Sequence, residues 1–361
     1  MTHSKGPKEK QMATQTQPTT TAQTIPVTVD NFIRAESDLM ISGTVKSSGL
    51  GKFVHFREPM TIDCPIIRPN RDTLYSFAEF DLEAGPVTVT LPDSGTRFRT
   101  MIVIDQDHYV PQVCYGAGAY KFSKESIGGT TRYLTLGMRT LVNPNDPADI
   151  AEVHKLQDAT KVEQPGGPGT FEIPNWDQAS QKKVRDALLV LNETLPDLRG
   201  AFGSREEVDP VRHLIGTASA YGGNPEKDAI YLNITPKNND GTGIYKVTVK
   251  KDVPVDGFWS ISVYDAEGHF KKNDLNAYTV NNITAKRDAD GSVTVQFGGC
   301  DGTIANCLPI CAGWNYMVRL YRPRKEVLDG TWKFPEATAV MKEGPMKTQQ
   351  HASVTPEETR V

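Results

Sequence analysis

The sequence predicts an α+β protein of about two domains. The chain has 361 residues, enough to bury two separate hydrophobic cores. Both helix and strand patterns occur up to about residue 200, and short strand patterns separated by turn signals fill most of the chain beyond it. We therefore expect a mixed α/β N-terminal domain over residues 27–200 and an antiparallel β-sandwich or barrel over residues 201–337.

The two ends of the chain differ from this pattern. Residues 1–26 and 338–361 are mostly polar, and they hold few apolar side chains to offset the entropy lost on ordering. Both are predicted to be disordered tails. Between them, the first helix is predicted by Phe32, Ala35 and Leu39, which recur at three- and four-residue spacing.

Two kinds of pattern define the remaining elements. Residues 85–92 alternate apolar and threonine side chains, which predicts a half-buried strand, and the apolar block in 97–105 predicts a more buried one. Asp146 and Pro147 are a helix N-cap and first-turn pair. A longer helical stripe follows in residues 178–202. Later strands are predicted at AIYLNI, IYKVTVKK, GFWSISVYD, SVTVQF and NYMVRLYRP.

Composition excludes several classes of partner. The formal net charge is -4, and lysines and arginines form no run, so we expect neither nucleic acid nor an anionic membrane surface as a partner. Mean hydropathy is -0.43 and no window approaches the roughly 20 apolar residues of a membrane span. No apolar segment follows the basic residues at the N-terminus, and the five cysteines are an odd number. A soluble, cytoplasmic protein with reduced thiols is expected.

Two stretches resemble known families. RPNRDTLYS (residues 68–76) and the strands after it resemble the hallmark of the bacterial domain-of-unknown-function family numbered 1254. DGFWSISVYDAEGHF, NAYTVNN and CLPICAGWNYMVRLYRPRKEVLDGTWKFP resemble its usual companion, family 1214, and YGGNPEKDAIY lies between the two as in those families. Cys307 departs from the pattern, which usually has Trp there. The resemblance implies a jelly-roll-like β-sandwich as the second domain and a homo-oligomer, and it implies no reaction.

RPNRDTLYS is the first candidate site. On a functional interpretation, Arg68 and Arg71 bind an anionic group with Asn70 beside them, Asp72 orients one arginine, and the phenol of Tyr75 transfers a proton. On a structural interpretation, the acid and an arginine form an ion pair at a joint between the domains. One acid against two arginines leaves a surplus positive charge that a ligand carboxylate could meet.

DQDHY (residues 105–109) is the second candidate, because it follows a predicted buried strand. His108 could exchange a proton near neutral pH, with Asp105 as its carboxylate partner. A histidine satisfied at a turn is the alternative. A divalent metal held by Asp105, Asp107 and His108 is a further, minor possibility.

The third candidate is the C-terminal aromatic segment. Trp314 and Arg319 offer an aromatic face and a guanidinium to a sugar or a flat organic ligand. Strand alternation places Tyr316, Val318 and Leu320 on one face, which we expect to be the core.

The sequence lacks the common nucleotide, serine-hydrolase and zinc-protease motifs. We therefore hypothesise an acid–base enzyme, a hydrolase or lyase that needs no organic cofactor. Its substrate would be a small polar or carboxylate-bearing molecule. Tyr75, His108 and Asp105 would move protons. The alternative is a noncatalytic oligomeric ligand-binding or scaffold protein in which RPNRDTLYS is a latch. A cavity shared by Tyr75, His108 and the arginines would favour the enzyme.

Overall fold

The computed structural model describes residues 23–340. Most of both predicted tails therefore lies outside the described residues. Ile25 nevertheless forms a β-bridge with Trp176, and Thr338–Ala339 pairs with an edge of a sheet, so the packed chain extends slightly beyond the expected limits at 27 and 337.

The helices among the described residues are α1 (Phe32–Ser48), α2 (Pro147–Asp158), α3 (Gln178–Asn192), α4 (Pro210–Ser219) and α5 (Lys325–Leu328). The strands are β1 (Val54–His55), β2 (Thr73–Asp81), β3 (Val87–Leu91), β4 (Arg99–Asp105), β5 (Gln112–Tyr115), β6 (Gly118–Phe122), β7 (Tyr133–Leu141), β8 (Lys161–Glu163), β9 (Ala229–Ile234), β10 (Tyr245–Val249), β11 (Trp259–Tyr264), β12 (Thr279–Asn281), β13 (Val293–Phe297), β14 (Cys307–Leu308), β15 (Asn315–Tyr321) and β16 (Thr338–Ala339).

The N-terminal part is built on two antiparallel sheets. A five-stranded sheet has the order β1-β2-β7-β4-β5, and a three-stranded sheet has the order β6-β3-β8. Apolar side chains of both sheets form one core, because alternate residues of each strand point to the same face. α1, α3 and α4 pack on one another, and α1 also lies against β2. Since α4 follows residue 200 yet packs on these helices, the sandwich begins later than the predicted junction, at β9.

The C-terminal part is a sandwich of two four-stranded sheets, ordered β14-β13-β10-β16 and β12-β11-β15-β9. Their inner faces share one apolar core that includes Tyr316, Val318 and Leu320, as alternation predicted. Pairing in the described sheets is antiparallel except between β13 and β14. The α+β class is therefore confirmed, and the jelly-roll connection stays a prediction.

Several local predictions hold and others fail. β3 shows the expected alternation of burial, β4 is buried throughout, and Asp146 caps α2 as expected. In α1 the predicted stripe is wrong at Leu39, which is 39% exposed, because the helix turns a more polar face to the sheet. The expectation of free thiols is also wrong at two positions, since Cys300 and Cys307 form a disulfide. None of the described helices combines the length and the apolarity that a membrane crossing requires.

The polar face of α1 covers a buried carboxyl group. Glu79, on β2, is 2% exposed and accepts a hydrogen bond of 2.5 Å from Thr135 Oγ1. Burial raises the pKa of Glu79 to about 8, although hydrogen bonds from Thr135 and Thr44 act in the opposite direction. The carboxyl group is therefore protonated in the folded protein at neutral pH.

We expect Glu79 to reduce stability as pH rises. The unfolded chain releases this proton near pH 4.5 and the folded protein near pH 8, so folding loses stability between those values. From pH 5 to pH 8 the Glu79→Gln variant should gain about 2–4 kcal/mol over wild type in urea unfolding. Glu163→Gln, at an exposed glutamate, should show no such gain. Parallel pH profiles for Glu79→Gln and wild type would contradict the assignment.

Candidate functional site

The segment Arg68–Asp72 joins the two halves of the molecule, and we call its contacts the joint. Its backbone is bound directly to the sandwich: Arg68 N donates to Gly268 O at 2.8 Å. Arg68 has φ of 53°, in the left-handed region, and it precedes Pro69, which disfavours helical backbone. Tyr264 Oη donates to Pro69 O at 2.8 Å. Hydrogen bonds from the sandwich therefore hold this turn.

Arg319 is the cation at the centre of the joint. It lies on β15 and is 2% exposed. Its Nη2 donates to Arg68 O at 2.9 Å and to Tyr264 Oη at 2.8 Å, and its Nη1 donates to Ser262 Oγ at 2.9 Å. Burial works against the charge of Arg319, yet the neighbouring Tyr264 and Asp72 keep its pKa above the ordinary arginine value.

Asp72 supplies the negative charge of the joint. Its side chain is fully buried. Its Oδ1 accepts from Thr279 Oγ1 at 2.8 Å and from Asn281 Nδ2 at 2.9 Å, whereas its Oδ2 is buried without a partner. Asn70 closes a side-chain turn onto the amide of Asp72 at 2.8 Å and donates to Tyr321 Oη at 3.1 Å. Both side chains thus tie β2 to the sandwich.

The predicted anion fork is wrong in its geometry. Asp72 forms no ion pair with either arginine of the segment, because its bonded oxygen faces β12 instead. Arg68 donates to Asn315 Oδ1 at 3.2 Å, and its buried Nε has no acceptor. Arg71 donates to Met60 O and lies 5.4 Å from the ring centre of Tyr278. The two guanidinium groups have separate partners, which favours the latch interpretation of residues 68–72.

Asp72→Ala should destabilise the whole fold. The change removes the acceptor of Thr279 and Asn281 and leaves Arg319 buried without its nearby acid. We expect a loss of about 3–5 kcal/mol in the free energy of unfolding in urea. Asp274→Ala, at an exposed aspartate, should change it by less than about 0.5 kcal/mol. A loss at Asp72 no larger than that of the control would mean that the joint contributes nothing.

His108 is enclosed in this fold, so it does not open into a cavity with Tyr75 and the arginines. The side chain has no exposed surface. Its Nδ1 lies 2.8 Å from Thr217 Oγ1, whose hydrogen goes to His213 O at 2.8 Å, and its Nε2 accepts from Gly222 N at 2.9 Å. Both ring nitrogens are therefore satisfied in the neutral Nδ1–H form. Burial, followed by the neighbouring His213, lowers the pKa of His108 to about 3.

Asp105 and Asp107 are engaged separately from that ring. Asp105 Oδ1 accepts from the amides of Asp107 and Tyr109, each at 2.9 Å, and it is 3% exposed. Burial raises the pKa of Asp105 to about 6. Asp107 is ion-paired with Arg34 at 2.5 Å. These contacts contradict the proposed metal site at 105, 107 and 108, and the described residues form no group of three or more His, Cys, Asp or Glu side chains that could hold a metal.

The neutral His108 should make stability depend on pH in the acid range. Its folded pKa is depressed, so its contribution is complete above the unfolded value of 6.5 and is lost as pH falls toward 3. Between pH 7 and pH 5, wild type should lose about 2 kcal/mol more than His108→Gln in urea unfolding. His269→Gln, at a partly exposed histidine, should keep the wild-type slope. Equal slopes for His108→Gln and wild type would contradict a buried neutral ring.

Next to the joint lies a group of polar side chains that we call the Arg139 centre. Arg139 on β7 is the register partner of Tyr75 on β2, and its guanidinium lies 5.6 Å from the ring centre of that tyrosine. Its Nη1 donates to Asn224 Oδ1 at 3.2 Å and its Nη2 to Gly222 O at 3.0 Å. Asn224 in turn donates to Tyr231 Oη at 2.8 Å.

The charge of the Arg139 centre is not compensated. Among the described residues no carboxylate lies within the 4.0 Å of an ion pair with Arg139, and both acceptors of its guanidinium are neutral. Burial opposes the charge, but the phenols of Tyr75, Tyr231 and Tyr321 keep the pKa of Arg139 above its ordinary value. Arg139, Tyr75 and Tyr231 are all partly exposed residues, so the centre lies near the protein surface.

His108 is connected to the Arg139 centre through Gly222. Gly222 donates its amide to His108 Nε2 and offers its carbonyl to Arg139, so one glycine links the two side chains. Of the predicted proton-transfer residues, the structure thus brings only Tyr75 into the centre. Arg139, Asn224 and Tyr231 were missed. Asn224 and Tyr231 lie in YGGNPEKDAIY, a segment that indicated only the family resemblance.

The two residues of the C-terminal candidate site, Trp314 and Arg319, lie in different parts of the structure. Trp314 has no exposed surface and packs in the sandwich core against Phe297, 5.1 Å between ring centres, so its assignment as a ligand contact is wrong. Arg319 belongs to the joint. A separate surface cleft of about 180 Å³ lies on the other sheet and is lined by Lys246, Lys286, Arg287, Asp288, Thr294, Gln296, Ile304, Ala305 and Asn306. It includes none of the predicted site residues.

Fold and site together define a class of α+β protein with a buried polar joint and an arginine–tyrosine centre beside it. Two family models match the chain: "Protein of unknown function (DUF1254)" over residues 50–113 and "Protein of unknown function (DUF1214)" over residues 231–325. The chain therefore carries the DUF1254 and DUF1214 regions, in that order, and the predicted resemblance is confirmed over these residues.

Solved structures share the fold. The VPA0106 protein from Vibrio parahaemolyticus is 17% identical with a TM-score of 0.66, over 87% of this chain and 98% of that chain. An uncharacterized protein from Burkholderia cenocepacia is 15% identical with a TM-score of 0.50, over 86% of this chain and 87% of that chain. No curated protein matches the sequence.

Proposed function

We propose that this protein binds a small carboxylate-bearing molecule at the Arg139 centre. The observation that carries the proposal is the guanidinium of Arg139, a partly exposed residue whose protein acceptors are neutral and which has no carboxylate partner among the described residues. A partly buried cation gains most from an anion that replaces lost hydration, and a planar guanidinium matches a carboxylate in geometry.

The phenols around the cation support a polar ligand with an apolar body. Tyr75 and Tyr231 are partly exposed and can donate hydrogen bonds to the ligand. Phe77 stacks on Tyr75 with ring centres 5.9 Å apart. Gly137 is the register partner of Phe77 and leaves room for the Phe77 ring, because a Cβ at position 137 would lie 3.1 Å from that ring. A flat aromatic carboxylate fits such surroundings.

Binding without catalysis is the form of the proposal that the side chains support best. An acid–base reaction needs a group that exchanges protons near neutral pH at the site. His108 is enclosed and has a pKa near 3. Asp105 has a pKa of about 6, but its side chain is bound to the amides of its own turn and forms no hydrogen bond with the centre. Tyr75 is the remaining member of the predicted set at the centre. The expected homo-oligomer and the cytoplasmic location are not needed for this proposal.

A matched ligand pair tests the proposal. Benzoate should raise the melting temperature of wild type, and benzamide, which has the same shape without the charge, should not. At about 100 times its dissociation constant, benzoate would stabilise by about 2.7 kcal/mol. Arg139→Gln should abolish this shift, and Tyr75→Phe or Tyr231→Phe should weaken binding by about 0.5–1.5 kcal/mol each.

The controls separate binding from general effects on the fold. Arg324→Gln removes an exposed arginine paired with Asp256 at 2.7 Å and should retain the full benzoate shift. Arg139→Lys should bind more weakly than wild type, because it keeps the charge and loses the fork. An equal shift with benzamide, or an unchanged benzoate shift in a folded Arg139→Gln, would refute the proposal.

A further inference from the structure

A second arginine is buried on the opposite face of the same sheet. Arg99 is the first residue of β4, its register partner is Thr140, and the next residue along, Thr100, pairs with Arg139. Because successive side chains of a strand point to opposite faces, Arg99 and Arg139 lie on different sides of the sheet. Arg99 is 5% exposed.

The guanidinium of Arg99 has more donors than acceptors. Its Nη2 donates to Thr160 Oγ1 at 2.6 Å and lies 3.4 Å from Met138 Sδ. Its Nε and Nη1 are buried and have no hydrogen-bond partner. Thr160 Oγ1 already donates to Leu156 O at 3.1 Å, so it can only accept from the arginine. Two N–H edges of a buried cation are left open.

The charge also lacks a counter-ion. No carboxylate of the described residues lies within the 4.0 Å of an ion pair with Arg99, whereas the buried Glu36 and Asp81 each have an arginine, Arg185 and Arg132 respectively. Burial lowers the pKa of Arg99 to about 10, which still leaves it charged at neutral pH. An isolated buried ion is strongly unfavourable unless an opposite charge joins it.

His55 supplies a further donor on the same side. Gln157 Nε2 donates to Ser76 Oγ at 3.3 Å, and Ser76 Oγ lies 2.8 Å from His55 Nδ1. If the serine hydrogen goes to Nδ1, the ring proton is on Nε2, which is then a donor. His55 lies on the same face of the sheet as Arg99, because its register partner Ser76 pairs with Met138, whose sulfur is 3.4 Å from Arg99 Nη2. His55 is also partly exposed.

We propose that a small monovalent anion, a halide or a one- or two-carbon carboxylate, binds at the open N–H edges of Arg99, with His55 as a second donor. The anion neutralises the buried charge and accepts the two unpaired hydrogen bonds. We choose a small ion because Arg99 lies almost entirely away from solvent. The proposal does not rest on the Arg139 centre.

Urea unfolding at constant ionic strength tests the site, with chloride exchanged for gluconate, which is too large to enter. Chloride at 100 times its dissociation constant should lower the wild-type unfolding constant about 100-fold. Arg99→Met keeps an apolar stem beside Met138 and should show no chloride dependence. Without chloride, it should be at least as stable as wild type, since it removes an uncompensated charge. Acetate in place of chloride distinguishes a carboxylate site from a halide site.

Bromide in crystals of the protein should give an anomalous peak within hydrogen-bond distance of Arg99 Nε or Nη1. Arg139→Gln should retain the chloride response, and Arg99→Met should retain the benzoate shift, so the two sites can fail independently. Equal responses of wild type and Arg99→Met to both chloride and acetate would overturn the proposal. An Arg99→Met variant that is less stable than wild type in gluconate would also overturn it. If chloride stabilises wild type, the absence of a bromide peak at Arg99 would overturn it as well.

Discussion

The guanidinium of Arg319 is buried between the two halves of the molecule. The contacts between the halves depend on satisfying this one cation. A buried arginine needs acceptors on several sides and a nearby negative charge. The sandwich offers hydroxyl oxygens of Ser262 and Tyr264, and the N-terminal part offers the Arg68 carbonyl oxygen. Asp72 provides the charge. The polar groups of RPNRDTLYS therefore help to enclose the Arg319 cation between the two halves.

The same elements that form the joint also position the Arg139 centre. β2 runs on from Asp72 to Tyr75, whose register partner is Arg139. β15 runs on from Arg319 to Tyr321, whose phenol accepts from Asn70 at 3.1 Å. A shift of one residue in either strand would turn these side chains to the opposite face. The joint thus fixes the register on which the centre depends, although no residue of the centre lies in segment 68–72.

Alternation within one strand could be predicted from the sequence, and contacts between distant strands could not. In β15, Tyr316, Val318 and Leu320 lie in the core as expected. Trp314 has the same parity and is also buried, but its aromatic and polar neighbours in the sequence favoured a ligand contact. For Trp314 the strand period is the better guide to burial than the composition of its surroundings.

The residues of the Arg139 centre show more clearly that contacts between distant strands could not be predicted from the sequence. Arg139 lies in the apolar run YLTLGMRTL, and its importance comes from its pairing with Tyr75, which is 64 positions earlier in the numbering. His108 was expected to be reactive because a histidine beside carboxylates often is. Its ring contacts Thr217 instead, 109 positions away in the sequence, and burial at that place keeps the ring neutral and inaccessible.

A double-mutant cycle between Asp72 and Asn281 tests the central claim, that the joint couples the two halves energetically. The unfolding free energies of wild type, Asp72→Ala, Asn281→Ala and the double variant would be measured in urea. We predict a coupling energy of about 1–3 kcal/mol, because the carboxylate and the amide share a buried hydrogen bond of 2.9 Å. If the two single-variant losses sum to the double-variant loss within about 0.5 kcal/mol, the joint does not couple the two halves.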